Sequence, residues 1–184
     1  MNHARLPSAL HARLMAVHEE ILWLARRPGV SASQARAWYT HVMAESLKRR
    51  IRRFSGKVSR AAVAAAPDAA LRLEYFRRIQ AGLTALVERQ REQTAPDSDE
   101  FVDWLLQAEQ VHVVTSAKNY AALRCAGDYA AAGITLMEWS DIPAGRRAAL
   151  WRRMLRGRVA NAGDFTDLGR RNGDVPARLI GSGR

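Results

Sequence analysis

Leu6, Leu10, Leu14, Val17, Ile21 and Leu24 recur at steps of 4, 4, 3, 4 and 3. That spacing lays them on one face of an amphipathic helix. Pro7 falls in its first turn, where a missing N–H costs little, and Pro28-Gly29 ends it. Ser31 or Ser33 caps a second helix with the stripe Ala35, Tyr39, Met43, Leu47, Ile51 and Phe54, until Ser55-Gly56 breaks it. Residues 61–66, all Ala but for Val63 and followed by Pro67, read as a short connection or a loose helical turn. A third helix is predicted from near Asp68 to about Gln93, with Leu73, Phe76, Ile79 or Gln80, Leu83 and Leu86 on its apolar face. After a polar break at 94–98, Asp97 and Glu100 have the spacing of a capping box for a fourth helix. Phe101, Trp104, Leu105 and Ala108 would face inward from it.

From Gln110 onward two readings stay open. Val111-His112-Val113-Val114-Thr115 is β-branched and bounded by polar residues, as in a strand. Ser116 would then cap a helix to about Ala132, Gly133 would end it, and residues 134–139 would form a second strand. A strand–helix–strand order makes the two strands parallel. Two strands alone are marginal, so a third, from residues 176–181 or a second subunit, would be needed. The other reading is one continuous helix over 99–126 and an all-α protein. Ser140 or Asp141 with Pro143 starts a last helix carrying Leu150, Trp151, Met154 and Leu155.

The expected fold class is therefore mainly α. A helical N-terminal layer over residues 1–95 is followed by a smaller unit over 96–158, with or without a two-stranded β element at 111–115 and 134–139. Residues 159–184 hold five of the 12 glycines without any period and read as a flexible tail.

Composition sharpens this in one respect. The chain has 184 residues, one Cys, and 29 Lys plus Arg against 18 Asp plus Glu, for a net charge of +11. Only Lys48, Lys57 and Lys118 among the cations are Lys. A single Cys excludes a disulfide scaffold and clustered cysteine metal ligands. Cys125 itself reads as a small buried side chain. No run of 18 apolar residues predicts a spanning helix, and the expected location is cytoplasmic. The charge is concentrated. Residues 48–60 carry +7 and residues 146–158 carry +6, both without an acid, and the rest of the chain sums to −2. The section 97–141 alone carries −6.

If the first window continues the second helix, Leu47, Ile51 and Phe54 share the buried face and the cations fan over the outside. Arg forks phosphate and stays charged, so such a ridge suits nucleic acid. The expected function is a non-enzymatic nucleic-acid-binding protein, with DNA favoured over RNA. Lys48, Arg49, Arg50, Arg52, Arg53 and Lys57 would form one phosphate-binding patch and Arg146, Arg147, Arg152 and Arg153 a second. The stretch Leu24–Ser31 resembles the turn of a helix–turn–helix motif, with Ala25, Gly29, Val30, Ala35 and Trp38 at suitable spacings. That resemblance implies base readout by Gln34 and Arg36. Pro28 and the length of the following helix depart from the motif and fit an ordinary helical hairpin.

Two other function classes compete. In the first, the acidic 97–141 section of one chain meets the basic windows of another, giving an adaptor or a homodimer. In the second, His112, Ser116 and Lys118, clustered after a strand, form an anion or catalytic site. No phosphate loop or nucleophile elbow accompanies them. Asp128, Glu138 and Asp141 are a weaker carboxylate set, with Asp141 better read as a cap before Pro143. His11 and His18 share a helix face but lack the three or four ligands a zinc site needs, and read as two partly exposed side chains. No metal and no cofactor is expected. Trp23, Trp38, Trp104, Trp139 and Trp151 read mostly as core, with Trp38 beside Tyr39 the one to examine for exposure.

Overall fold

The first stripe folds as its spacing dictates. In the computed structural model, which describes residues 6–42, 44–75 and 79–166, helix α1 spans Ser8–Ala25 and buries Leu10, Leu14, Val17 and Ile21. Full burial of such side chains contributes about 1.5–3 kcal/mol each. A tight turn with Gly29 at φ +77° leads to α2, Ala32–Ala37. Ser31 caps α2 in a reciprocal box: its Oγ accepts from Gln34 N, and its own N–H donates to Gln34 Oε1 at 2.8 Å. His18 is buried, contrary to the partial exposure expected. Its Nε2–H donates to Gln90 Oε1 at 2.6 Å, its Nδ1 lies 3.0 Å from Ser98 Oγ, and its ring stacks on Phe101. Burial lowers its pKa, so it is held neutral.

The second stripe is not one helix. After α2 the backbone widens into a π-helical turn, Trp38–Val42, and α3 spans only Ala44–Ile51. The chain then enters strand β1, Arg53–Ser59. Ile51, Phe54 and Val58 are spaced 3 and 4 apart and mimic a helical stripe. In fact Phe54 pairs with Val111 and Val58 with Val113, so three residues of β1 oppose a single residue of its partner. Gly56, at φ +83°, takes the left-handed conformation this bulge requires. The basic window 48–60 therefore runs along the end of a helix and a whole strand, not along one helix.

Helix α4, Arg60–Ala64, follows, capped by Ser59. The helix expected from Asp68 does not form there. Leu71-Arg72-Leu73-Glu74-Tyr75 alternates with period 2 and is strand β2, Leu71–Tyr75; helix α5 spans Ile79–Arg91. Helix α6, Ser98–Ala108, is capped by Asp97 as expected, with Asp97 Oδ1 accepting from Glu100 N at 2.9 Å. Strand β3, Gln110–Thr115, overturns the continuous-helix alternative. Thr115 rather than Ser116 caps α7, and α7 is short, Ser116–Arg124. Strand β4, Leu136–Glu138, precedes α8, Ala144–Leu150, which leads directly into a second π-helical turn, Trp151–Leu155.

The protein is mainly helical, with eight α-helices and a four-stranded mixed sheet of order β2-β3-β1-β4 among the described residues. The parallel pair is β1 with β3; β2 pairs antiparallel with β3, and β4 antiparallel with β1. The expected parallel pairing of 111–115 with 134–139 is thus replaced. Neither strand is complete without β1, which satisfies one edge of each. The further strands come from 53–59 and 71–75; residues 176–181 lie outside the described residues. Residue 95 lies between α5 and α6, which pack together with α1, α2 and α3 around one apolar core. A second core joins one sheet face (Phe54, Val58, Val111, Val113) to Trp139, Ile142, Leu150, Met154 and Leu155. Helix α7 lies on β2 and β3 and forms a small third cluster with Ala132 and Ile134.

Part of the segment expected to be a loose tail is ordered. Val159 is buried, and Phe165 packs edge-on against Phe54 and Trp139. Residues 167–184 lie outside the described residues.

Close approach of α5 and α6 depends on Gly82, where a Cβ would fall inside van der Waals contact of the Trp104 ring. In an exposed helix Gly→Ala gains up to about 1 kcal/mol, but overpacking costs about 1–3 kcal/mol. Gly82→Ala is expected to lower unfolding stability by about 1 kcal/mol net, read as an earlier urea midpoint. A later midpoint would contradict the close packing.

Candidate functional site

The two basic windows meet. Ala160 N donates to Arg52 O at 2.8 Å, and Asn161 clamps Phe54 on both sides, accepting from its N–H at 2.8 Å and donating to its carbonyl at 3.0 Å. The chain just past the second window is therefore laced to the start of β1 as an extra backbone partner. Close in sequence to the laced residues, Arg50, Arg53, Arg156 and Arg158 are exposed. Arg53 lies 3.9 Å from Asp164, and Arg156 stands over the Trp151 ring with its guanidinium carbon 5.9 Å from the centroid.

Other cations of the windows are engaged within the protein. Arg52 is only 8% exposed. It donates to Tyr75 Oη from Nη2 at 2.7 Å and from Nε at 3.2 Å, and lies 3.8 Å from Glu109 Oε2. Glu109 is fully buried and accepts from Tyr39 Oη at 2.8 Å. Burial pushes the Glu109 carboxyl upward, opposed by the Tyr39 and Tyr75 hydroxyls and by the charges of Lys48 and Arg52. Lys57 pairs with Glu138 at 3.2 Å. Arg146 donates to Ala62 O, Arg147 to Ser140 O and Ile142 O, and the exposed Arg153 to the carbonyls of Pro67 and Ala69. Arg152 is exposed, as is Arg49 in the last turn of α3.

The acidic section does not blanket these cations. Its α6 carboxylates turn to α1 and α5: Asp99 lies 3.1 Å from His11 Nε2, and Glu100 accepts from Arg89 and from Gln90 Nε2. Glu109 and Glu138 are the acids of that section seen to reach the windows, at Arg52 and Lys57.

Gln34 and Arg36 do not stand out from a long reading helix. The Gln34 side chain is spent on the α2 cap. Arg36 is half-buried, donating from Nε to Thr84 Oγ1 and from Nη2 to Ser33 Oγ, both at 3.1 Å. Arg36 instead lines a cleft of about 680 Å³ between α2, the first π turn, β2, α5 and α7. Lys48 lines the same cleft, with Nζ 3.5 Å from Thr40 O and 5.4 Å from the centroid of the Tyr39 ring. Sequence reasoning passed over this cleft. Its other polar residues (Ser33, Thr40, His41, Thr84) are scattered along the chain without a motif. Trp38 is at the border of exposure, its Nε1–H donating to Glu20 Oε2 at 3.0 Å. Trp23 is the more exposed, at 58%, with Arg27 stacked on it.

His112, Ser116 and Lys118 have different surroundings. His112 is 4% exposed and shares a 2.5 Å hydrogen bond with Ser55 Oγ across the parallel pair. Lys118 Nζ donates to the carbonyls of Ala132 and Gly133, tying down the end of the loop after α7. Ser116 Oγ is buried and has no hydrogen-bond partner among the described residues. Asp128 caps the following turn through Ala131 N, and Asp141 accepts from Ser140 Oγ.

Burial, with Lys57 nearby, pulls the His112 pKa from its ordinary 6.5 down to about 4. The unfolded chain then binds more protons than the folded one between these values, so stability is full above pH 6.5 and falls as pH drops toward 4. The loss attributable to His112 is about 3 kcal/mol at most. Urea unfolding of His112→Gln across this range should show a shallower decline than wild type. An unchanged slope would show that His112 is not held neutral.

Among the described residues no helix is long and apolar enough to cross a membrane. No family model, curated protein or solved structure matches this chain.

Proposed function

We propose that this protein binds nucleic acid, duplex DNA first, through an arginine surface centred on the seam between the two basic windows, and that it does so without catalysing a reaction. The observation that carries this reading is the lacing of Arg52 and Phe54 to Ala160 and Asn161. It converts two windows 98 positions apart in sequence into neighbours. Arg50, Arg53, Arg156 and Arg158 lie within four positions in sequence of the laced residues and are exposed. Held on rigid backbone, such cations contact phosphates with little ordering cost. Of the acids that reach the windows, Glu109 and Glu138 meet Arg52 and Lys57, outside the proposed contact set, and Asp164 makes only a long 3.9 Å contact with the exposed Arg53.

The test is a fluorescence-anisotropy titration of duplex DNA, single-stranded DNA and RNA over a salt series. Binding that weakens log-linearly with salt supports the reading. No binding to any of the three at about 50 mM salt, where phosphate contacts are only lightly screened, overturns it.

A further inference from the structure

We infer that Asn161 is the positioning residue of the arginine surface: its side-chain amide stands in for a missing edge strand and so fixes where Arg156 and Arg158 are carried relative to Arg53. The inference rests on the nucleic-acid reading above and deepens it.

The need for such a residue arises in the sheet. Strand β1 lies between β3 and β4, but β4 pairs with Lys57, Val58 and Ser59. Ahead of the bulge, the outer edge of β1 meets no strand among the described residues. Phe54 is 2% exposed, so an N–H and a carbonyl left open there would be costly. Asn161 supplies both partners from one side chain. Its Oδ1 accepts from Phe54 N–H at 2.8 Å, and its Nδ2 donates to Phe54 O at 3.0 Å. A side-chain amide carries the donor and acceptor of a peptide group, whereas an ionised Asp has no donor to offer. Beside it, Ala160 N donates to Arg52 O at 2.8 Å. Arg53, between the two laced residues, turns its own N–H the other way, to Glu109 O at 3.0 Å. The backbone that carries Arg53 is thus held from both edges of β1.

The second window is pinned at both ends. Arg156 N donates to Trp151 O at 3.0 Å, closing the second π turn. Ala160 and Asn161 hold the far end. Between these anchors lie Gly157, at φ +69°, and Arg158. Held at each end, so short a connection carries its arginines in one place. Released at Asn161, it can turn at Gly157, which has the widest backbone freedom of the stretch. Val159 is buried, and Phe165 packs on Phe54 and Trp139, so the segment stays on the protein when the amide is removed. What is lost is its orientation. Phosphates along a duplex have fixed spacing, so orientation decides how many cations meet them at once.

The test is a double-mutant cycle on duplex-DNA affinity, read by fluorescence anisotropy. Asn161→Ala is made in the wild type and in the Arg156→Ala/Arg158→Ala background. In the wild type it should flatten the salt slope by about 0.9 to 1.8, the share of one or two phosphate contacts, and weaken binding about 3- to 12-fold. In the second background the groups it positions are gone, and the same substitution should change affinity less than about twofold. The inference is overturned if Asn161→Ala binds as wild type. It is equally overturned if the loss is the same in both backgrounds, as a merely structural residue would give. Should Asn161→Ala fail to fold, the wild-type protein decides. By linkage, DNA that needs the Asn161 contact closed must slow hydrogen exchange of the Phe54 amide, whose acceptor is Asn161. Slower exchange on DNA supports the inference, and an unchanged rate overturns it. Wild-type protein that binds no duplex DNA overturns the duplex-DNA reading and this inference with it. Wild-type binding with any of the other failures overturns this inference alone.

Discussion

Arg50→Ala, Arg53→Ala, Arg156→Ala and Arg158→Ala combined are expected to remove most of the protein's affinity for duplex DNA at moderate salt while leaving its fold intact. All four side chains are exposed. The pairing of Arg53 with Asp164 is a long 3.9 Å contact between exposed groups, the kind that contributes little to stability. Each phosphate contact adds about 0.9 to the slope of log affinity against log salt, so four lost contacts flatten that slope by about 3.6. Between about 50 and 200 mM salt, this corresponds to about 150-fold of salt-dependent affinity. The slope is the quantity to measure, because a loss of affinity at an unchanged slope would mean that the four arginines do not meet phosphates. A thermal melt close to that of wild type separates lost contacts from a lost fold. Arg52 is left out of the set: it is buried, and its removal would test packing rather than binding.

Glu109→Ala carries the largest expected effect on stability, about 3–5 kcal/mol, the cost of stranding a buried charge. The carboxylate is fully buried between Tyr39, whose hydroxyl donates to it, and Arg52, itself 8% exposed. Removing it takes away the buried carboxylate that faces a guanidinium only 8% exposed. For a chain of this size the loss corresponds to a melting temperature lower by about 10 °C. Replacing both members, as in Glu109→Leu with Arg52→Met, is expected to recover much of the loss, since an apolar pair avoids the desolvation cost. A double-mutant cycle measures this directly. Additive effects of the two substitutions would show that Arg52 and Glu109 do not depend on each other. The same network ties the start of β1 to the junction of α6 and β3, with Arg53 N donating to Glu109 O at 3.0 Å. Its loss should therefore loosen the seam as well.

Legibility from sequence followed how local the determining interaction is. Helix α1 and the Asp97 cap were readable, since each depends on residues within a few positions, while the Ser31 cap and the strand at β3 were each one of two readings left open. Two strands were misread as helix for a specific reason. In β1 the bulge at Ser55-Gly56-Lys57 spaces the inward Phe54 and Val58 four apart, which is a helical interval. In β2 the alternation of Leu71, Leu73 and Tyr75 was present, but Leu73 also began a longer 3.6-residue stripe running into α5. A short strand joined to a helix is ambiguous under any periodicity test. The candidate sites were readable only as composition. Lys48, Arg49, Arg50, Arg52 and Arg53 look alike in sequence. In the structure Lys48 lines a cleft, Arg52 is a buried ion-pair partner, and Arg49, Arg50 and Arg53 are exposed.

The amino-acid sequence by itself determined the helical character, the Asp97 cap, most of the buried positions and the concentration of positive charge in two windows. These follow from the side chains and their nearest neighbours along the chain. Only the tertiary structure decided that β1 stands between β3 and β4, that Asn161 joins the windows, and that Arg36 and Lys48 face one cleft. Each of these is a contact between residues far apart in sequence. Such a contact forms only where the free energy of packing two cores and satisfying buried polar groups outweighs the entropy of closing the loops between them.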